Sequence, residues 1–472
     1  MEHAPTAPAP MSPEEKRRLE ATFMRHINRG QVKYLKAGHL DVIETDRRGT
    51  GFTDAASGRA MYDCFSSAGS FNVGRHNEYI TNALANAARR MDMGSPQLIS
   101  PVKIAFAQKL VDLAPGDMNR ILFASGGGDA VECAIKLALG ATGKQRIIST
   151  VKAYHGHTGF ALSANGKEHY RGYCEPLMPG FDFVPFGDLE AMQQAAADDT
   201  AAIIIEPVQG EAGIFTGSPE YLKGLRELCD QRGMLLIFDE IQTGFGRTGR
   251  MFACEHSGVV PDIMTLAKSI GGGLYPNAAV LYRDIPLLTD FVDAHADFHT
   301  SFGGSDPGCA TSLAVLEYIT EHRLWENAET KGAQLKTALE ELMARNPRII
   351  KEVRGIGLMV GIEYIHEFMG PMMADALAKH GIFAAYSGNA PQVMRFMIPI
   401  TVNEEELKDI IGRIEAAVQD MKTLLPLALL AARVPFLLRL LNSEKVQTFL
   451  FGLFRSVEDF ISRIFGTGRK TS

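Results

Sequence analysis

Cysteine is sparse and unpatterned in this chain of 472 residues: Cys64, Cys133, Cys174, Cys229, Cys254 and Cys309 are scattered, with no CxxC and no paired Cys/His spacing. That usage argues against a disulfide scaffold and against a zinc site, and it reads as the reduced thiols of a cytoplasmic protein. Basic charge is not in excess either. The formal net charge is −7, so a nucleic-acid partner has no electrostatic footprint over the chain as a whole. The opening residues, "MEHAPTAPAPMSPEEKRR", lack the apolar core of a signal peptide and are rich in Ala and Pro, which predicts a disordered lead-in over 1–20. No internal repeat is found. What the chain does have is length, 46% hydrophobic residues and 46 glycines, the make-up of an α/β enzyme large enough for a big and a small domain.

From residue 78 onward, helix-like and strand-like segments alternate. "EYITNALANAARRM" has apolar residues at helical spacing, "RILFAS" is a short apolar strand, and "DAVECAIKLALGATG" is again a helix. The rhythm continues through "RIISTV", "AAIIIEPV", "MLLIFDE", "DIMTLAK" and "AAVLYR". Short apolar strands between helices predict a mostly parallel sheet covered on both faces, with ligands at the carboxyl ends of its strands. Those ends carry Ser125 to Asp129, Tyr154 and His155, Glu206, Asp239 and Lys268. A long helix is expected at "CATSLAVLEYITEHRLW", then a smaller α+β domain whose last helix opens on a capping box from Asn403 to Glu406. The expected domains are a lead-in at 1–20, an N-terminal part of the small domain at 21–77 containing a meander, a large domain at 78–325, the rest of the small domain at 326–421, and an extension at 422–472.

"IFDEIQTGFGRTG" ends an apolar strand on two carboxylates, which is costly unless something cationic meets them. "MTLAKSIGGGLYP" places Lys268 between an apolar strand and a glycine run. Taken alone, that is a surface lysine. A lysine held among apolar residues can also lose its proton and form a Schiff base with a carbonyl, and pyridoxal 5'-phosphate (PLP) is a leading cofactor for that role. PLP needs a carboxylate at its ring nitrogen, for which Asp239 is the candidate, with Gln242 offering an amide to the ring oxygen. Its phosphate needs a helix N-terminus, which "ASGGGDAVECAIKLA" supplies through the N–H groups of Gly127 and Gly128. Its ring needs a flat partner, for which Tyr154 is the candidate.

In that order and spacing, "LIFDEIQTGFGRTG", "DIMTLAKSIGGGLYP", "AYHGHTG", "EPVQGEAGI" and "HTSFGGSDP" closely resemble the class III (ornithine/GABA or omega-type) aminotransferases of PLP fold type I, over about residues 40 to 420. The resemblance implies Lys268 as the cofactor lysine, Asp239 on the pyridinium, Gln242 near the phenolic oxygen, Tyr154 stacked on the ring and His155 shaping the pocket. It also implies a homodimer with shared active sites, a hydroxyl of the "HTSFGG" loop reaching the phosphate in the neighbouring subunit. Ser301 stands where threonine is usual, and Thr300 is adjacent. The phosphate loop departs further: Gly126, Gly127, Gly128 and Asp129 replace a hydroxyl-rich Ser-Gly-Ser-Glu, leaving backbone contacts only. Glu211 and Arg395 resemble a gate in which arginine grips a keto acid's carboxylate and glutamate neutralises it when an amine without a carboxylate binds. Pro399 keeps half of the usual Pro-Pro, Ile398 standing at the other position.

The implied activity is transfer of an amino group from an amine or omega-amino compound to a keto acid such as 2-oxoglutarate or pyruvate, by a ping-pong mechanism. A decarboxylating transaminase or aminomutase on the same scaffold stays open, as does a catalytically silent membrane scaffold. Beyond the resemblance, the tail clusters Phe449, Leu450, Leu453, Phe454, Val457, Phe460, Ile461, Ile464 and Phe465 on one helical face, with a basic excess from Thr423 onward. Two readings remain: a helical hairpin lying on a membrane surface, which would suit a hydrophobic, long-chain substrate, or packing within the oligomer.

Overall fold

The computed structural model describes residues 11–37, 40–95 and 98–432. Near the N-terminus, β1 (Glu44–Arg48), β2 (Gly51–Asp54) and β3 (Arg59–Asp63) form an antiparallel meander. The central sheet follows, with β4 (Arg120–Ala124), β5 (Arg146–Thr150), β6 (Phe181–Val184) and β7 (Thr200–Ile205) ahead of a small hairpin, β8 (Val208–Gln209) with β9 (Phe215–Thr216). It is completed by β10 (Leu235–Asp239), β11 (Ile263–Leu266) and β12 (Ala278–Tyr282), in the order β4-β12-β11-β10-β7-β5-β6. Only β12 is reversed, lying antiparallel to β11 and β4. Parallel strands need cover on both faces, and their sequences show it: β7 and β10 are buried at every position. Helix Gly127–Thr142 packs Ala134, Leu137 and Ala138 into one face with Ile204 and Ile237, while helix Pro219–Arg232 puts Leu225 and Leu228 into the core on the other with Ile203, Ile205 and Phe238.

After the sheet, β13 (Ile350–Ile356) and β14 (Met359–Tyr364) form a hairpin, and β15 (Ile382–Phe383) crosses to pair in parallel with β3. β16 (Ala385–Tyr386) and β17 (Val393–Phe396) complete the order β13-β14-β17-β16. The β15–β3 pairing puts the N-terminal meander and the C-terminal region into one sheet. The last helix, Glu404–Ala432, opens on the expected capping box, in which Asn403 Oδ1 accepts from the Glu406 amide at 2.9 Å and Glu406 Oε2 from the Asn403 amide at 3.0 Å.

Two expectations are corrected. Residues 13–20, read as lead-in, belong to helix Pro13–His26, where Ser12 caps the Glu15 amide, Pro13 takes the first turn and Glu14 and Glu15 complement the dipole. The single helix expected over "CATSLAVLEYITEHRLW" is broken: helix Asp306–Glu321 stops, Arg323 takes φ +46°, and helix Leu324–Arg345 starts anew. Among the described residues no helix is long and apolar enough to cross a membrane. The amphipathic tail expected from 422 lies outside the described residues from 433 onward.

The glycine-rich loop after β10 is pinned by a fully buried guanidinium. Arg247 donates to Asn72 Oδ1 from Nη2 at 2.5 Å and from Nε at 3.1 Å, to the Leu358 carbonyl at 2.8 Å, and to the Ile398 carbonyl. One side chain thus joins the segment after the meander, the β13–β14 turn and the strand leaving β17. Burial without a contacting carboxylate pulls its pKa down to about 9. Arg247→Ala should destabilise the chain by on the order of 3 kcal/mol or more, because several buried acceptors lose their donor together. Chemical denaturation of the two proteins checks this, and a loss below about 1 kcal/mol would show that the clamp is dispensable.

Candidate functional site

The carboxyl ends of β5, β7, β10 and β11 converge on a pocket of about 220 Å³ lined by Gly127, Gly128, Tyr154, His155, Gly156, Glu206, Glu211, Asp239, Ile241, Gln242 and Lys268. Apolar strands in register deliver its polar groups. Asp239 is the last residue of β10, paired with Thr265 of β11, and the Thr265 hydroxyl and the Ile241 amide donate to its Oδ1 at 3.2 and 3.1 Å. Its other oxygen meets His155 Nδ1 at 2.7 Å. Burial opposes a charge on His155, but the bond to Asp239, with the Asp239 and Glu206 charges, outweighs it and raises the imidazole pKa above its ordinary value. An imidazole of the protein is therefore already the partner of the strand-end carboxylate. The other carboxylate of the pair, Glu240, has a different fate: it accepts from the Ala253 and Cys254 amides at 3.0 and 2.7 Å and from the Thr243 hydroxyl, and so shapes the loop rather than the pocket.

Lys268 follows β11 on a short 3-10 turn with φ +50°, a left-handed conformation that costs a non-glycine residue strain. Burial pushes its ammonium pKa down, while Asp239, Glu211 and Glu206 oppose that shift. Opposite it, helix Gly127–Thr142 presents an N-terminus with no side-chain cap, because its N-cap residue is Gly126, and Asp129 of its first turn points back to accept from the Ser125 amide and hydroxyl at 2.8 and 2.9 Å. The adjoining loop comes so close that a Cβ on Gly156, at φ +125°, would lie 2.9 Å from Gly128 Cα. Tyr154 is half-buried beside this cradle, its phenol pKa pushed up to about 12 by burial and by the Glu211 charge among others.

Gln242 Nε2 donates to the Ala68 carbonyl at 3.1 Å, leaving Oε1 buried without a partner, and a Cβ on Gly210 would fall 1.5 Å from that oxygen. Glu211 lines the pocket and accepts from Arg395 Nη1 at 2.5 Å, the guanidinium coming from β17 with its carbon 5.3 Å from the centre of the Phe65 ring. Thr300 and Ser301 do not reach this pocket in their own chain. Thr300 donates to the Phe123 carbonyl at 3.1 Å, and Ser301 lines a separate hollow with Met93, Lys103 and Phe302.

Sequence reasoning gave Glu206 no role. Its position after "AAIII", at the end of a fully buried strand, was the available signal. It is only 6% exposed, accepting from the Tyr154 amide at 3.0 Å and the Gly210 amide at 3.2 Å. Burial and the Asp239 charge, opposed by His155, push its pKa up to about 7. The six cysteines are free, and among the described residues no cluster suits a metal ion.

A lysine with a depressed pKa, a buried carboxylate, an uncapped helix N-terminus and a flat ring around one small cavity suit a phosphorylated aromatic aldehyde. The comparisons agree. The family model for class-III aminotransferases matches residues 35–418. An uncharacterized aminotransferase of Archaeoglobus fulgidus is 38% identical over 398 residues, covering 84% of this chain and 93% of that protein. The crystal structure of ornithine aminotransferase from Toxoplasma gondii superposes with a TM-score of 0.80 at 27% identity, covering 86% of this chain and 96% of that one. An (S)-enantioselective omega-transaminase from Thermomicrobium roseum does so with 0.78 at 28% identity, covering 86% and 98%. With a fold of type I and this match over most of its length, the chain belongs to the class-III aminotransferases and is a pyridoxal-phosphate-dependent aminotransferase.

Proposed function

We propose that the enzyme moves an amino group from an amine or omega-amino donor to a keto acid in two half-reactions sharing one pocket, and that the Arg395–Glu211 pair switches the pocket between them. The observation that carries this reading is the ion pair itself: a 3%-exposed guanidinium whose contacting carboxylate lines the cavity with Lys268. With the pair closed, a donor meets no free positive charge there. A keto acid's carboxylate can displace Glu211 and take the arginine bidentately, as guanidinium geometry favours.

The residues present fit the cofactor. Orphaned buried atoms, Gln242 Oε1 and His155 Nε2, mark places where the protein leaves polar groups unpaired, and Gly127 and Gly128 line the same cavity. When bound, PLP acts as an electron sink that makes the proton on the amine-bearing carbon labile. The chain does the rest. Lys268 holds the cofactor and, as a neutral amine, takes the proton from the donor's carbon at Nζ and returns it at the other end of the exchange. Asp239 would keep the ring nitrogen protonated, Tyr154 would cover the ring, and Gln242 would meet the ring oxygen. With Asp129 turned to Ser125, backbone amides of its own chain would hold the phosphate.

Two copies complete the site in this reading, Ser301 reaching the partner's phosphate. In support, Met93 and Phe302 of the Ser301 hollow are 44% and 66% exposed, as are Leu98, Ile99 and Ile104 in the neighbouring segment at 70%, 89% and 55%, apolar surface of the kind a second copy covers.

Lys268→Ala should abolish turnover in both directions while the protein still folds and holds PLP noncovalently. Parental turnover would remove the lysine from the mechanism. Asp239→Asn should lower kcat at least 100-fold, on the order of 3 kcal/mol of barrier, because a neutral amide cannot hold the charge of the ring nitrogen. Single-turnover kinetics check this, and an unaltered rate would give the carboxylate another role. Arg395→Ala should slow the half-reaction with 2-oxoglutarate far more than that with a simple primary amine, whereas Glu211→Ala should penalise the amine. Equal damage to both half-reactions by Arg395→Ala would make the arginine structural.

A further inference from the structure

The segment that carries Glu211 makes a strained turn, and a buried guanidinium holds it from outside. Between β8 and β9 the chain passes through Gly213 at φ +118° and Ile214 at φ +61°. The second is a left-handed conformation that a β-branched residue keeps only where its surroundings impose it. Arg354 of β13 donates from Nε to the Gly213 carbonyl at 2.8 Å, the oxygen of the peptide that joins those two residues. The guanidinium is 9% exposed, its Nη1 donates to Glu352 and Glu363 at 2.8 and 2.7 Å, and its carbon lies 4.1 Å from the centre of the Phe215 ring, on the returning strand of the same hairpin. Register explains how it gets there. Arg354 pairs with Gly361 of β14, and Gly361 pairs with Arg395 of β17, so the two arginines stand on one face of the sheet with bare backbone between them. The hairpin lies in that gap: a Cβ on Gly361 would fall 3.2 Å from Ile214 Cβ and 3.3 Å from the Gly213 carbonyl oxygen. Arg395 takes the Glu211 carboxylate, and Arg354 takes the backbone two residues on.

We propose that Arg354 is a positioning residue of the transamination: by holding the Gly213 carbonyl it keeps the strained turn in place and so sets Glu211 against Arg395 in the state that receives the amine. The inference rests on the switching role proposed for the Arg395–Glu211 pair. Glu211 has to leave Arg395 when a keto acid's carboxylate arrives and return when it departs. With the backbone fixed two residues away, that exchange is confined to the side chain's own torsions, and the return requires no reordering of the loop. The charges around Arg354 also keep the two arginines distinct. Glu352 and Glu363 already contact it, so it offers little to a third carboxylate, and Glu211 stays with Arg395 although a cation stands on either side of its hairpin.

The test measures both half-reactions of the full-length holoenzyme, with a simple primary amine and with 2-oxoglutarate, in the parent, Arg354→Met, Arg354→Lys, Glu211→Ala and the Arg354→Lys/Glu211→Ala double variant. Methionine keeps an unbranched apolar stem and donates nothing. Lysine keeps a charge beside Glu352 and Glu363, which protects folding, but lacks the fork that serves a carboxylate and a carbonyl together. Both Arg354 variants should lower the efficiency of the amine half-reaction relative to that with 2-oxoglutarate by about threefold or more, and the double variant should show no shift beyond that of Glu211→Ala, because the arginine acts through that carboxylate. A merely structural arginine would depress both half-reactions together and would add its effect to that of Glu211→Ala. In the cofactor-free proteins, amide hydrogen exchange should be faster than in the parent across residues 208–217 in both Arg354 variants and parental around Lys268. An unshifted ratio in the Arg354 variants, additive effects in the double variant, or unchanged exchange across 208–217 overturns the proposal. Failure of the gate itself shows differently, as a parental ratio in Glu211→Ala.

Discussion

The 2.7 Å contact between Asp239 Oδ2 and His155 Nδ1 is the interaction around which the site is built. A carboxylate at the end of a strand buried along its whole length cannot be left to solvent, and its neutralisation has to come from a neighbouring strand end. β10 and β5 lie on either side of β7 in the sheet, so the loop after β5 has to fold over the end of β7 to bring its imidazole across. Asn165 fixes that path by accepting from the His155 amide at 2.6 Å and donating to the Gly156 carbonyl at 2.8 Å. The same loop carries Tyr154 beside the cavity and brings Gly156 against Gly128. Pairing one charge therefore also sets the ring wall and closes the cradle.

Glycine in this site follows from crowding as much as from ligand contact. Gly210 is required because any side chain would occupy the position of the Gln242 amide, and Gly156 because its loop touches the backbone of Gly128. The neighbouring Glu206 and Glu211 can then sit on one pocket, one buried on backbone amides and the other paired with an arginine from β17. The six residues from Glu206 to Glu211 thus hold two carboxylates in different environments, and environment rather than residue type separates their chemistry.

The fold was legible because its signals are local and repetitive: apolar runs of four to six residues, buried on both faces, alternate with helical periods, and glycine marks the helix toward the cavity. The convergence of Asp239, Lys268, Tyr154, Gln242 and the Gly127–Gly128 turn followed from the rule that parallel strands release their chains at one edge. What escaped the sequence was pairwise. Nothing in "AYHGHTG" says that His155 will meet Asp239 rather than solvent, and nothing in "FDEIQ" says which carboxylate enters the pocket. The register of β10 against β11 decides that by placing Asp239 opposite Thr265 and turning Glu240 toward the Ala253 and Cys254 amides. The break at Arg323 escaped for a related reason, since a left-handed arginine has no compositional mark.

Arg247 extends the same logic beyond the pocket. The loop that follows Asp239 ends in a guanidinium spent entirely on carbonyl and amide oxygens of other segments, with no carboxylate beside it. An ion pair there would tolerate rearrangement, because a carboxylate accepts from many directions, whereas separate oxygens from Asn72, Leu358 and Ile398 are satisfied by one arrangement only. The strand that contributes Arg395 leads directly to Ile398, so one contact of the clamp lies three residues along the chain from the guanidinium that pairs with Glu211.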